Sequence, residues 1–144
     1  MGAVRFVLAI HNHQPVGNFD HVIEDAYQRS YGPFLETLER HPTVAFVLHQ
    51  PGILWEWMQK HHPEYLERVE RLVERQQLEL LSGGFYEPIL PVIPEADRIG
   101  QIRKLTDWLH QRFGVQARGG WLAERVWEPH LAESIARGGL QYVV

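Results

Sequence analysis

The 144-residue sequence contains no cysteine, which removes disulfides, thiolate zinc sites and cysteine nucleophiles together. A reducing compartment agrees with this, and the expected location is cytoplasmic. Lysine is almost missing as well. Twelve arginines stand beside two lysines, and acidic residues outnumber basic ones 18 to 14, for a formal net charge of −4. No global positive field gathers nucleic acid or anionic lipid, so neither is an expected partner. Long apolar runs are lacking too. Residues 6–10 and 44–48 form runs of five, far below the roughly 20 residues of a membrane-crossing helix. The stretch behind Arg5 is too short for a signal-peptide core, and no small-residue cleavage site follows it. What is present, 44% hydrophobic and 11% aromatic residues, suffices for one globular domain.

Residues 4–10 are β-branched and aliphatic and end abruptly at His11, Asn12, His13, Gln14 and Pro15, which predicts a buried strand running into a polar loop. In residues 23–40 the spacing of Ala26, Tyr27, Phe34, Leu35 and Leu38 predicts helical segments interrupted near Gly32 and Pro33. A second strand over 43–48 also ends in a polar loop, His49-Gln50-Pro51-Gly52. A helix over 53–60 follows. After Pro63 comes a stronger one, striped with Leu66, Val69, Leu72 and Val73, with Glu64/Arg68 and Glu67/Arg71 as i, i+4 pairs on its wet face. A third strand over 78–81 is stopped by Ser82, Gly83 and Gly84. A helix over 95–113, a fourth strand near 117–122, a helix over 130–137 and the start of a fifth strand at Leu140 complete the pattern.

Strands alternating with helices in this way predict right-handed βαβ crossovers and a parallel sheet, so the fold class is α/β. A doubly wound sheet and a barrel both satisfy the alternation. No G-x-G-x-x-G follows a strand, which argues against dinucleotide binding. About four βα units plus the start of a fifth strand fall short of the roughly 250 residues of a closed eight-fold barrel. The expectation is a partial barrel, a piece of a longer protein, with an open sheet edge after Val144 that invites self-association.

The chemistry-bearing residues cluster directly after strands: His11 to Pro15 after the first, Gly83 to Pro88 after the third, and Trp121 to Pro129 at the fourth. In parallel α/β folds these ends share one face. The last cluster holds two carboxylates, an arginine and two indoles. Glu124 sits where strand gives way to loop, and Arg125 beside it is expected to keep it ionised. Such a carboxylate can attack an anomeric carbon while Trp121 or Trp127 packs against a sugar ring. A surface salt bridge between core tryptophans explains the same residues, and residue types alone leave both readings open. His11 and His13 are one strand period apart, a metal-ligand spacing. Only His49 is another strand-end histidine, so the pair fits either a zinc hydrolase or recognition of sugar hydroxyls by neutral imidazoles. Glu87 fits a second catalytic carboxylate, a hydroxyl acceptor or a structural group. The remaining histidines, His62 among them, read as surface or capping residues.

Three ordered motifs, His11-Asn-His-Gln-Pro-Val-Gly-Asn-Phe19, Gly83-Gly-Phe-Tyr-Glu-Pro-Ile-Leu90 and Gly120-Trp-Leu-Ala-Glu-Arg-Val-Trp-Glu-Pro129, resemble those of glycoside hydrolase family 57. The first, with Gln14-Pro15 followed by Gly17-Asn18-Phe19, is most similar to the 4-α-glucanotransferase and α-amylase-like members. The resemblance implies an incomplete (β/α)7 barrel acting on α-1,4-glucans or maltooligosaccharides with retention of configuration, with no metal or other cofactor. It implies that Glu124 is the nucleophile, that His13, Glu87 and Trp121 line the donor-sugar subsite, and that His11 is their companion. It further implies a general acid, an aspartate, on a later strand outside these 144 residues, with Glu87 and Glu128 as poor local substitutes. Residues 1–144 are then expected to be the N-terminal part of a catalytic barrel whose remainder, with any accessory β-domain, lies elsewhere. The isolated piece is expected to bind sugar weakly without catalysing.

Overall fold

A computed structural model describes residues 2–144. The strands are β1 (Ala9–His11), β2 (Phe46–His49), β3 (Leu78–Leu81), β4 (Gly119–Gly120) and β5 (Tyr142–Val143). The helices are α1 (Asp20–Ala26), α2 (Gly32–Glu39), α3 (Gly52–His61), α4 (Pro63–Glu74), α5 (Glu95–Phe113) and α6 (Leu131–Arg137). Strands β1, β2 and β3 pair in parallel in that order, as do β4 and β5. The two ladders join at Ser82, whose N–H donates to Gly119 O at 3.0 Å and whose carbonyl accepts from the Trp121 N–H at 2.8 Å. Strand order therefore follows chain order without reversal. A doubly wound sheet reverses at a switch point, so the order is that of a barrel wall, here an open segment of one.

Alternation along the strands separates two faces. Phe46, Leu48, Leu78 and Leu80 are buried against the helices, in one core with Leu35, Leu54, Trp55, Leu66, Leu72 and Leu105. A smaller core of Leu90, Ile102, Leu122, Leu131, Ile135 and Leu140 lies by β4 and β5. Helix α5 ties the two together, giving Ile102 to one and Leu105 and Leu109 to the other. It stops where Gly114 takes φ 67°, a left-handed turn that glycine adopts at little cost. The opposite face of the strands carries Val47, His49, Glu79 and Leu81, and at one end it leads into the loops discussed below.

Several local expectations change. Strand β1 begins at Ala9 rather than residue 4, and Val4, Phe6 and Val7 are exposed. The β2 ladder starts at Phe46, because Val44 is held in a turn by its bond to His41 O. The earlier residues thus have no partner there. The helix expected to break near Gly32 instead runs on through a widened π turn at Tyr27–Tyr31. Proline at position 33 in a regular helix collides with the carbonyl four residues back, and the extra residue of the π turn absorbs it. That turn directs Tyr27 and Tyr31 into the core. Arg68 and Arg71 do not pair within α4. Both bond Glu39 of the neighbouring α2, at 2.7 and 2.9 Å, because packing brings one carboxylate between the two guanidinium groups. Strands β4 and β5 are two residues each, shorter than the stretches near 117–122 and from Leu140 expected to hold them.

His62 is also more than a surface residue. Its Nε2 lies 2.8 Å from Glu24 Oε2 and its Nδ1 2.9 Å from Glu64 Oε1, with the ring stacked 3.6 Å from Tyr27. Burial alone lowers its pKa, but the hydrogen bonds to the two carboxylates outweigh this and raise it above the usual value. A raised folded-state pKa contributes stability that is complete below the unfolded value of about 6.5 and is lost as pH climbs through the folded value. The melting temperature should accordingly fall as pH rises above about 6.5, and His62→Gln should flatten that fall. Equal slopes for the two proteins would refute the assignment.

Gly52, at the start of α3, donates its N–H to Phe85 O at 2.7 Å, and a Cβ there would overlap the buried Phe85 ring. Gly52→Ala should cost about 1–3 kcal/mol through overpacking, seen as a lower melting temperature. It should disturb the loop that carries Glu87.

Candidate active site

The His-Asn-His-Gln segment begins on the last residue of β1 and continues the strand's period of two into the loop. Asn12 and Gln14 turn inward, while His11 is partly and His13 largely exposed. Asn12 Nδ2 donates to Gln50 Oε1 at 2.7 Å, and the Tyr65 hydroxyl donates to the same oxygen at 2.7 Å. Gln14 Nε2 donates to the Tyr31 hydroxyl at 2.9 Å, which in turn donates to His13 O at 2.9 Å. The π turn of the first long helix thus holds the histidine loop, through Tyr31.

After β3, the chain turns at Gly83 and Gly84. A side chain at 83 would crowd His49 Nε2 and Trp121 O, at 3.0 and 3.1 Å. Glu87 follows with φ 53°. Its carboxylate, 9% exposed, accepts from His11 Nε2 at 2.9 Å through one oxygen and from His13 Nδ1 at 2.8 Å through the other. After β4, the Trp121 indole stacks on His11, with centroids 4.3 Å apart and planes 15° apart. Leu122 and Ala123 are buried, and they anchor a 3-10 turn, Ala123–Arg125, that pushes Glu124 into solvent.

His11, His13, Glu87, Trp121, Glu124 and Arg125 together line a cleft of about 300 Å³. The five residues singled out from sequence are all there, and Glu128 is outside this lining. Two details differ from expectation. Arg125 makes no ion pair with Glu124; its guanidinium lies 4.5 Å from the Trp121 ring centroid, where the indole face attracts it. Trp121 already has His11 on its ring, so the more exposed indole is Trp127, at 48%.

Backbone strain marks the same place. Among the described residues, the non-glycine positions with positive φ are Gln76, Glu87, Glu124 and Arg125, and the last three line the cleft. Such conformations cost about 1–3 kcal/mol each and persist only where surrounding contacts over-determine them, most often at functional sites. The histidine left out of the sequence-based site is His49. It is fully buried, in register with His11, and its Nδ1 is 2.8 Å from His11 Nδ1. Burial first, and then the neighbouring His11 and His13, hold its pKa well below the usual histidine value. The signal that points to it is positional: parallel strands put their last residues side by side.

The model of glycosyl hydrolase family 57 matches residues 7–144. Alpha-amylase 1 of Dictyoglomus thermophilum is 52% identical over 142 residues, 99% of this chain and 21% of that protein. The 4-alpha-glucanotransferase of Thermococcus kodakarensis is 49% identical over 144 residues, 100% of this chain and 22% of that protein. The crystal structure of 4-alpha-glucanotransferase from Thermococcus litoralis superposes with a TM-score of 0.96 at 46% identity, covering 99% of this chain and 22% of that one. The chain thus spans about a fifth of the length of the relatives it matches.

His11, His13 and Glu87 also bring three possible metal-ligating atoms within 4.8 Å of one another. Ligands around a tetrahedral zinc sit about 3.3 Å apart, whereas these nitrogens approach the carboxylate to 2.8 and 2.9 Å, the length of charge-assisted N–H···O bonds. Holding a metal requires both ring nitrogens to give up the protons they place on Glu87. Metal analysis of the purified protein should therefore find no stoichiometric zinc, and a chelator should leave its melting temperature unchanged. A chelator-sensitive transition with one zinc per chain would reverse this reading.

Proposed function

The chain belongs to glycosyl hydrolase family 57, and we propose that it is the nucleophile-bearing part of a retaining enzyme acting on α-1,4-linked glucans, a 4-α-glucanotransferase. One observation carries the reading: an exposed glutamate on a strained turn, Glu124, shares a single strand-end cleft with two histidines, a second carboxylate and an indole.

In the proposed reaction Glu124 attacks C1 of the bound glucose unit, and the glycosidic oxygen leaves as it takes a proton from a general acid. The covalent glycosyl-enzyme is then opened by the 4-hydroxyl of a second glucan, which yields its proton to the same group acting as base. Retention in this manner needs two carboxyl groups about 5–5.5 Å apart. Glu87 is engaged by two histidines, and the resemblance to the family implies that the second carboxyl lies in a part of the barrel outside these 144 residues. Residues 1–144 would then be one section of the catalytic barrel, unable to complete the cycle alone. The donor sugar is assigned to His11, His13, Glu87 and Trp121. With both histidines donating to Glu87, the cleft offers acceptors, namely the free His13 Nε2 and the remaining carboxylate lone pairs. These are suited to accept hydrogen bonds from sugar hydroxyls.

Hydrolysis is the second reading, favoured by the α-amylase names among the relatives. It differs only in whether water or a sugar hydroxyl opens the intermediate. The test is incubation of the complete gene product with maltooligosaccharides. Longer and shorter glucans without new reducing ends are expected for transfer, and net reducing ends for hydrolysis. Glu124→Gln should lower the rate about a thousandfold or more. A wild type without products, or an undiminished Glu124→Gln, would overturn the proposal.

A further inference from the structure

The contact between His11 Nδ1 and His49 Nδ1, 2.8 Å, admits a single proton between the two nitrogens, and the surroundings decide which ring carries it. His11 Nε2 faces a carboxylate oxygen of Glu87 at 2.9 Å. An ionised carboxylate only accepts, so this nitrogen carries a hydrogen. If His11 is neutral, its Nδ1 is then a bare lone pair, and the shared proton belongs to His49. The opposite assignment needs a doubly protonated His11, and it leaves His49 with its hydrogen on Nε2.

That second arrangement is the costlier one. His49 is fully buried, and its Nε2 has no hydrogen-bond partner. Gly83 packs so closely against it that even a Cβ would lie 3.0 Å away. A buried N–H without an acceptor costs about 1–3 kcal/mol, and orphaned N–H groups are rarer than under-satisfied acceptors. With the hydrogen on Nδ1, each N–H in the chain of rings finds an acceptor, and only a lone pair is left over.

We propose that His49 is a positioning residue: it donates Nδ1–H to His11 and locks it in the tautomer whose Nε2–H is committed to Glu87. The lock fixes which groups the cleft leaves free for a sugar hydroxyl. It is set by the β1–β2 ladder and not by a loop, since His11 and His49 are in-register partners and Asn12 N–H bonds His49 O at 3.0 Å. Without the donor, His11 is free to place its hydrogen on Nδ1, and its Nε2 lone pair then opposes the Glu87 carboxylate. The consequence for sugar binding rests on the glucan-active reading above; the tautomer assignment does not.

The test has two arms, both on the complete gene product. Long-range 1H–15N spectra of 15N-histidine-labelled protein at neutral pH should show an Nδ1–H tautomer that disappears in His49→Asn, and an Nε2–H tautomer for His11. His49 found as Nε2–H, as imidazolium, or averaged between tautomers overturns the proposal. In the kinetic arm, His49→Asn keeps an N–H donor near the Nδ1 position and should hold kcat/KM on maltooligosaccharides within about threefold of wild type. His49→Leu should lose about 10- to 100-fold, chiefly through KM, the range expected for one unsatisfied group. Equal impairment of the two variants, or wild-type activity in both, would count against the lock. Should His49→Leu fail to fold, the spectra and His49→Asn decide. A wild type inactive on glucans removes the functional reading while the spectra still judge the tautomer.

Discussion

In-register parallel pairing of β1 with β2 sets His11 beside His49, and the cleft is assembled from that point outward. A ladder of backbone hydrogen bonds holds the two rings side by side, with their Nδ1 atoms 2.8 Å apart. His11 then serves as a post: Trp121 stacks on its ring and Glu87 takes its outer N–H. The loops after β3 and β4 converge because each places one group on the same imidazole.

Glu87 is the second node. A carboxylate that is 9% exposed is tolerated because two N–H donors meet its two oxygens, which offsets the desolvation that an unpaired buried charge would suffer. Its left-handed backbone, and those of Glu124 and Arg125, store strain that the surrounding contacts sustain. Phe85 fills the space over Gly52, and Leu122 and Ala123 are buried just before the strained turn. Buried side chains lie under the cleft and the exposed Glu124 carboxylate lies on top, an arrangement in which a scaffold holds a reachable group in place.

The helical layer takes part too. The π turn at Tyr27–Tyr31 absorbs Pro33 and sends Tyr31 to the histidine loop, where its hydroxyl joins Gln14 to His13 O. The same turn presents Tyr27 to His62, itself clamped between Glu24 and Glu64. A local accommodation of one proline therefore links the outer helices to the rim of the cleft.

Much of this was legible in the amino acids alone. Alternating apolar runs and helical stripes determined the α/β class, and β3 and α5 lie where the pattern puts them, because short-range periodicity is set by local geometry. The three motifs picked out the five side chains that the fold then brings into one cleft. Long-range pairing decided the rest. The partners of Arg68, Arg71 and Arg125 come from packing or from an aromatic face rather than from nearest neighbours in the chain, and β1 is short because its partner strand starts late. His49, legible only as a further strand-end histidine, meets His11 through the register of two strands 38 residues apart, and the positive φ of Glu87 and Glu124 lies in the loops after β3 and β4. Sequence spacing specifies which side chains are available and on which face they fall; which of them meet is a property of the folded backbone.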